Sequence, residues 1–347
     1  MKKLTSIVLI LSCLLLTACG KKDAADKAPS PTPLPAASST ASEDQTAAPT
    51  TAPEDQATAL KEVAPTGKEF TVGLLPAESA IPIILAYEKG FFEDAGAKVN
   101  LQVFSSPNDR NVAVQAKELD GVIGDVMTGA SFVDRGIPMK ITSDISEDFK
   151  ILSSPASGIT TLEELRDKKI SLVPNFILEY IMDEFAGKYG FTYEIVEIPS
   201  FSGRAEALMS NQIDGVVFTE PQAGMLVKQG AHLLGSSKAA GIKGGTLMFL
   251  EEMLTNRPGD IKAFYQAYNK AIDYMNAVDV AEYSAILTDY QFPEAISEYL
   301  TSMEDPFQYA DIIDREQFDQ IITWTKEKGQ ISKAYSYEEL TDFSYLK

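Results

Sequence analysis

Side chains able to do covalent or metal chemistry are scarce in this chain, and their positions exclude much. Its two cysteines, Cys13 and Cys19, lie within the first twenty residues, and its only histidine is His232. Beyond Cys19 no disulfide, zinc-thiolate site, iron–sulfur cluster or cysteine nucleophile can form. One histidine cannot build a multi-histidine metal site. His232 stands in Gly-Ala-His-Leu-Leu, a short strand pattern, and reads as structural or surface. Gly124 and Gly129 have phosphate-loop spacing, but Ala130-Ser131 replaces the required Lys-Ser/Thr pair. There is no Gly-x-Ser-x-Gly elbow, no His-Glu-x-x-His and no calcium loop. With no base–nucleophile pair in view, an enzyme is the weaker reading, and neither metal nor cofactor is expected.

What remains is recognition by hydrogen bonding, charge and stacking. Glu78, Ser79, Asp125, Thr128, Asn175, Phe176 and Glu220 are the candidate ligand contacts. Each stands just after a predicted strand, where parallel α/β sheets place ligands and where helix N-termini point. Each also has a plainer reading: Glu78 as a solvated side chain, Asp125 as a helix cap, Phe176 as core.

The elements that would position them follow from period and punctuation. Phe70 to Leu75 reads as a buried strand, Pro82 opens a helix that stops at Gly90, and Val99 to Phe104 reads as a second strand. A helix around Asn111 to Lys117 leads to a third strand at Leu119 to Ile123. This βαβαβ order predicts a parallel sheet covered by helices. Ile170 to Val173 begins a second such unit, after a Thr161/Glu164 capping box. From Gly96 and Gly190 the two units align without gaps at an offset of 94, with nine identities in 41 positions. These include Ser106/Ser200, Arg110/Arg204 and Asp120-Gly121-Val122/Asp214-Gly215-Val216. Two similar α/β lobes are expected. Further on, Asp260 is placed to cap a helix carrying Ile261, Phe264, Tyr268, Ile272 and Met275. Asp314 with Gln317 reads as a capping box before Phe318, Ile321, Ile322 and Trp324.

Composition bounds the partners. The chain has 347 residues, with 30 Lys plus Arg against 50 Asp plus Glu. A net charge of −20 argues against nucleic-acid binding and against adsorption to anionic lipid through a basic face. Lys2 and Lys3 precede an apolar run from Leu4 to Leu16, then Leu16-Thr17-Ala18-Cys19-Gly20. This has the layout of a secretory signal, and Leu-Thr-Ala-Cys resembles the lipobox of bacterial lipoproteins. The resemblance implies a signal peptide over 1–18 and a diacylated Cys19 as the first mature residue. Of the 48 residues from Gly20 to Gly67, 30 are Ala, Pro, Ser or Thr and none is aromatic. So 19–67 reads as a lipidated cysteine and a disordered tether.

A family resemblance rests on Gly73-Leu74-Leu75-Pro76, Ile81-Pro82, Ala86-Tyr87-Glu88-Lys89-Gly90-Phe91-Phe92-Glu93-Asp94-Ala95-Gly96 and Leu119-Asp120-Gly121-Val122. Gly136 to Lys140 and Thr161 to Ile170 add to it. Together they resemble the SsuA/THI5-like (NMT1-like) solute-binding proteins over roughly Phe70 to Leu234. The resemblance implies a two-lobed α/β, periplasmic-binding-protein-like (type II) fold with a ligand cleft between the lobes. Lobe I would be 68–150 plus 240–347, and lobe II 151–239. It implies a lipid-anchored monomer on the extracytoplasmic face of the cell membrane. Such a protein hands a small molecule to an ABC permease and its ATPase. A branch of the family that makes the thiamine pyrimidine depends, by resemblance, on a cysteine-rich motif and a reactive histidine. This body has no cysteine and only His232, so that branch is disfavoured, as is a sensor or adhesion module. Glu78, Asp125 and Glu220 bring negative charge to the expected rim and Phe176 could stack on a ring. A nitrogen heterocycle such as a thiamine-pyrimidine precursor is therefore preferred as ligand. An alkanesulfonate, taurine or nitrate is the alternative, for which Arg110 or Arg204 would serve unless both are structural.

Overall fold

A computed structural model describes residues 63–346. Ten strands form two five-stranded sheets. They are β1 (Glu69–Leu74), β2 (Lys98–Val103), β3 (Gly121–Asp125), β4 (Met139–Asp144), β5 (Phe149–Ser153), β6 (Lys169–Ser171), β7 (Glu194–Val196), β8 (Gly215–Thr219), β9 (His232–Ser236) and β10 (Gly245–Leu250). Strand order is β2-β1-β3-β10-β4 in the first sheet and β7-β6-β8-β5-β9 in the second. The two orders correspond position by position. The α-helices of seven residues or more are α1 (Ile81–Glu88), α2 (Pro107–Gln115), α3 (Val126–Asp134), α4 (Ile177–Tyr189), α5 (Phe201–Met209), α6 (Gln222–Lys228), α7 (Pro258–Ala277) and α8 (Arg315–Glu327).

The internal repeat is physical. Helices α2 and α5, and strands β3 and β8, are offset by 94 residues. Ser106 and Ser200 cap α2 and α5 by accepting the N–H groups of Asp109 and Gly203. The carboxylate of Asp120 accepts the N–H of Thr71, and that of Asp214 accepts the N–H of Lys169, each tying its unit's third strand to its first. The glycines that follow lie under a neighbouring strand. A Cβ at Gly121 would stand 2.5 Å from the Phe249 ring, and one at Gly215 would stand 2.9 Å from the Leu152 carbonyl.

The expected all-parallel sheet is not what forms. Strands β1 and β6 pair in parallel with both neighbours, but β10 runs antiparallel to β3 and β4, and β5 antiparallel to β8 and β9. The chain crosses between sheets at 145–148 and 241–244, after strands that end at the cleft, the second by way of a short helix (Ser237–Ala240). It therefore enters the next sheet from the cleft side, and that strand must run the other way. Strand β5 pairs wholly within the second sheet, so the crossing precedes the division drawn after residue 150.

Several local expectations also shift. The helix expected over 111–117 begins earlier, at Pro107, because Ser106-Pro107 supplies both cap and first turn. Asp260 does not cap α7, which starts at Pro258. It is buried in the first turn, paired with Arg257 at 2.6 Å, and accepts both the N–H and the hydroxyl of Thr66. The segment before β1, read as the end of a tether, is thus tied to the body as far back as Thr66. Gly259 lets it pass, since a Cβ there would lie 2.3 Å from the Val63 carbonyl. Asp314 caps α8 through Gln317 N–H, but the Gln317 side chain donates to the Gly241 carbonyl instead of closing a box. Glu164 accepts the N–H groups of Thr160 and Thr161, over a single 3-10 turn (Glu163–Leu165).

The apolar face of α7 is buried as its spacing requires: Ile261, Phe264, Tyr268, Ile272 and Met275 pack with Phe70 and Phe249 of the first sheet and with Phe92 of the short helix Phe91–Asp94. A second core is shared by the two sheets. It joins Ile141 and Met248 to Ile151, Leu172 and Val217, with Ile177 of α4 and Phe318 and Ile321 of α8. A third lies on the outer face of the second sheet, around Leu208, Val216 and Phe218.

Candidate functional site

The C-terminal ends of β1 and β3 face those of β6 and β8. Their following loops meet through three hydrogen bonds. The Glu78 N–H donates to the Glu220 carbonyl at 3.0 Å, the Gln222 side-chain amide to the Pro76 carbonyl at 2.6 Å, and the Ile177 N–H to the Asp125 carboxylate at 3.2 Å.

The candidate contacts fall into two groups. Glu78 and Glu220 line an open pocket of about 590 Å³, with Asp148, Lys150 and Tyr299. Burial pushes the Glu78 carboxyl up to about 7, against the opposing hydrogen bond from the Tyr299 hydroxyl at 2.9 Å. Burial also raises Glu220, which is held by the Gly224 N–H at 2.8 Å and by Lys150 at 3.2 Å. Asp125 and Phe176 line a small cavity of about 60 Å³ between the sheets. One oxygen of Asp125 caps α3 through the Thr128 N–H, and the other takes the first N–H of α4. Both oxygens being bonded, its capping role is real. Burial nevertheless raises its carboxyl above the usual range. Phe176 is half-buried at the start of α4.

Ser79, Thr128 and Asn175 lie beside these groups. Ser79 donates to Glu147, and the Thr128 hydroxyl is buried without a hydrogen-bond partner. Asn175 takes a left-handed conformation (φ 68°), and its N–H donates to Glu179 at 2.6 Å. It shapes the turn into α4, a conformation asparagine tolerates.

Glu147 joins the two groups, since it lines both the open pocket and the small cavity. Burial pushes its carboxyl up to about 8, helped by the charges of Glu78 and Asp125. The sequence reading missed it. It sits in the first crossing, outside the strand-end loops that the sequence singles out, and its acidic Ser-Glu-Asp setting was the one available signal. Tyr299 was missed because it comes from the C-terminal helices, outside the repeat.

Arg110 and Arg204, the matched arginines, meet at the same small cavity, one from each repeat. Both are almost fully buried, and burial lowers each to about 10, still charged at neutral pH. His232 lies at the far end of the second sheet, where it pairs with Ser153 at the beginning of β9. Among the described residues no group of three or more His, Cys, Asp or Glu is arranged to hold a metal ion, and no helix is long and apolar enough to cross a membrane. Cys19 lies outside the described residues.

Solved structures share this fold. The ligand-binding component of an ABC-type import system from Staphylococcus aureus, with zinc bound, superposes with a TM-score of 0.67 at 17% identity, covering 80% of this chain and 98% of that one. The alkanesulfonate-binding protein SsuA from Xanthomonas axonopodis pv. citri, bound to MOPS, gives 0.66 at 15%, covering 77% and 95%. The nitrate-binding protein NrtA from Synechocystis PCC 6803 gives 0.66 at 14%, covering 82% and 88%. These likenesses establish the two-lobed, periplasmic-binding-protein-like α/β fold. Among curated sequences, the 4-amino-5-hydroxymethyl-2-methylpyrimidine phosphate synthase THI11 of Saccharomyces cerevisiae is 26% identical over 227 residues, 60% of this chain and 66% of that protein. The match thus spans just under two thirds of that relative's length. The family described as NMT1/THI5 like matches residues 78–278, more than half of the chain. The chain therefore belongs to the NMT1/THI5-like family.

Proposed function

We propose that the protein is an extracytoplasmic solute-binding lipoprotein of an ABC importer. It captures one small organic molecule between its lobes and releases it unchanged to a permease and its ATPase. The observation that carries this reading is the cross-lobe contact of the strand-end loops. Glu78, Asp125 and Gln222 reach across a seam that only two short crossings join. A single sheet edge offers half a site, while two facing edges can surround a ligand.

The same geometry supports hinge closure about 145–148 and 241–244, and the ligand-binding roles of Glu78, Ser79, Asp125, Thr128, Asn175, Phe176 and Glu220. A nitrogen heterocycle remains the preferred ligand, favoured by the carboxyl groups of Glu78, Glu147 and Glu220 and by Phe176. An alkanesulfonate, taurine or nitrate is the alternative. Synthesis of a pyrimidine, which the yeast relatives' name would suggest, is disfavoured. The body lacks any cysteine, and His232 lies at the sheet end remote from the cleft. Anchoring through Cys19 would hold the body near its permease.

Small-angle scattering tests the clamp. Protein stripped of its co-purifying small molecule by unfolding and refolding should have a larger radius of gyration than protein as isolated. Re-addition of that molecule should restore compaction, since closure requires tighter binding to the closed form. Glu78→Gln and Glu220→Gln should each weaken the re-binding. Tight re-binding with no compaction, unaffected by either substitution, would refute the clamp.

A further inference from the structure

Buried charge is costly unless it is paired and hydrogen-bonded, and the small cavity between the sheets is where this molecule departs from that rule. Arg110 is 2% exposed and Arg204 1% exposed, and both line the cavity of about 60 Å³. Arg110 is largely satisfied. Its Nη1 donates to the Ile123 carbonyl at 2.7 Å, and its Nε and Nη2 donate to the Asn111 side-chain oxygen at 3.0 and 2.8 Å. Arg204 is not. Its Nη1 alone makes protein hydrogen bonds, long ones to the carbonyls of Ile198 and Pro199 at 3.3 and 3.4 Å. Its Nε is buried without a partner, and among the described residues its Nη2 has no protein partner either. Among the described residues neither guanidinium is ion-paired. Asp125, the nearby carboxylate, spends both oxygens on backbone N–H groups. Glu147, the other carboxyl of the cavity, is pushed up to about 8 and so is largely neutral at pH 7.

The unpartnered edge of Arg204 is also held in place. Its guanidinium lies 5.1 Å from the Phe201 ring and 4.9 Å from the Phe218 ring. Contact with both rings restrains it, so its Nε and Nη2 form a fixed fork of parallel donors, the arrangement that takes two coplanar oxygens. The cavity offers about the space of two water molecules, enough for a flat three-atom head group. Phe201 lines both this cavity and the adjoining groove of about 470 Å³, whose other walls include Ser105, Met209, Gln222 and Met225. A ligand body could continue there.

We propose that the cavity seats a carboxylate of the bound solute on the Nε/Nη2 edge of Arg204, with Arg110 of the other lobe as the second positive charge. The proposal rests on the solute-binding reading above and deepens it. The solute is a small carboxylic acid whose ring or chain occupies the groove, and one arginine from each lobe makes its charge a reason to close.

Matched acids and amides test this by thermal shift and calorimetry: benzoate against benzamide, nicotinate against nicotinamide, with benzenesulfonate and nitrate alongside. A deproteinised extract of the cells that make the protein is run in parallel. At least one acid, or the extract, should raise the melting temperature. The amide partners should bind at least tenfold more weakly than their acids. Arg204→Gln should abolish the effect. If Arg204→Gln fails to fold by circular dichroism, Arg204→Lys, which keeps charge and stem but loses the fork, should bind acids at least tenfold more weakly. Equal binding of acids and amides, a preference for benzenesulfonate or nitrate over the acids, or extract binding that survives the Arg204 substitution would overturn the carboxylate assignment while leaving solute binding intact. If neither panel nor extract binds, the solute-binding reading fails and the carboxylate assignment with it.

Discussion

The main-chain N–H of Glu78 donates to the carbonyl of Glu220 across the two sheets, while their carboxyl groups take different partners on either side of that bond. Glu78 is held by the Tyr299 hydroxyl and Glu220 by Lys150. Glu78 is thus buried with one neutral donor, while Glu220 takes a cation from β5 of its own sheet. Glu147 adds a third carboxyl to the seam, with Ser79 as its hydrogen-bond donor.

Stability should fall as pH rises through neutrality. Glu78 and Glu147 sit at about 7 and about 8 in the folded protein, above the ordinary 4.5. The folded state thus holds protons that the unfolded chain has released. The stability these protons supply is fully present below about pH 4.5 and is lost as pH climbs to about 8. For Glu78 alone the effect is on the order of 3 kcal/mol. Melting temperatures between pH 5 and 9 should decline, and Glu78→Gln and Glu147→Gln should each flatten the decline. A curve that rises over this range, or is unchanged in both variants, would contradict the burial argument.

Asp125→Ala should destabilise by about 1–2 kcal/mol or more, since it removes the cap of α3 and the acceptor for α4 together. Asp125→Asn keeps one carbonyl oxygen and should lose less. Chemical denaturation of the pair checks the order, and equal losses would mean that the retained carbonyl oxygen contributes nothing.

Gly121→Ala and Gly215→Ala should each cost about 1–3 kcal/mol, as an overpacked core does. The added methyl meets the Phe249 ring in one case, and Ile170 with the Leu152 carbonyl in the other. Gly136→Ala tests a different cause: no neighbour lies within 4 Å of its Cβ, so its cost would come only from a φ of 81°. If the three cost alike for lack of a steric difference, the close approach of β10 and β5 is not the reason for the paired glycines.

These glycines show what was legible in the chain. Asp-Gly-Val recurs at an offset of 94 because each unit needs the same tie between strands and the same gap beneath a neighbour. A local pattern can carry that. It cannot carry strand direction, which depends on where the chain re-enters a sheet after crossing, so the antiparallel β5 and β10 were invisible. Glu147 and Tyr299 were missed for a related reason. They reach the cleft from a crossing and from the C-terminal helices, segments with no counterpart in the repeat. Asp260 looked like a cap because its type and position suit one, but its partners Thr66 and Arg257 lie upstream of the helix. The candidate residues lie near one another because sheet geometry alone brings strand ends together, whatever the loops between them.

Cys19→Ala should abolish acylation and membrane retention without altering the melting temperature of the body. The residue lies far upstream of the folded part in sequence. Incorporation of labelled palmitate at the wild-type level would show that the Leu-Thr-Ala-Cys segment is not a lipidation site.

Native mass spectrometry of the protein purified from the cells that make it tests the central claim most directly. Binding of one solute between the lobes predicts a single small molecule at one per chain, recovered chemically unchanged when the protein is unfolded. A protein that carries and rebinds no small molecule, or that returns the molecule chemically altered, would contradict it.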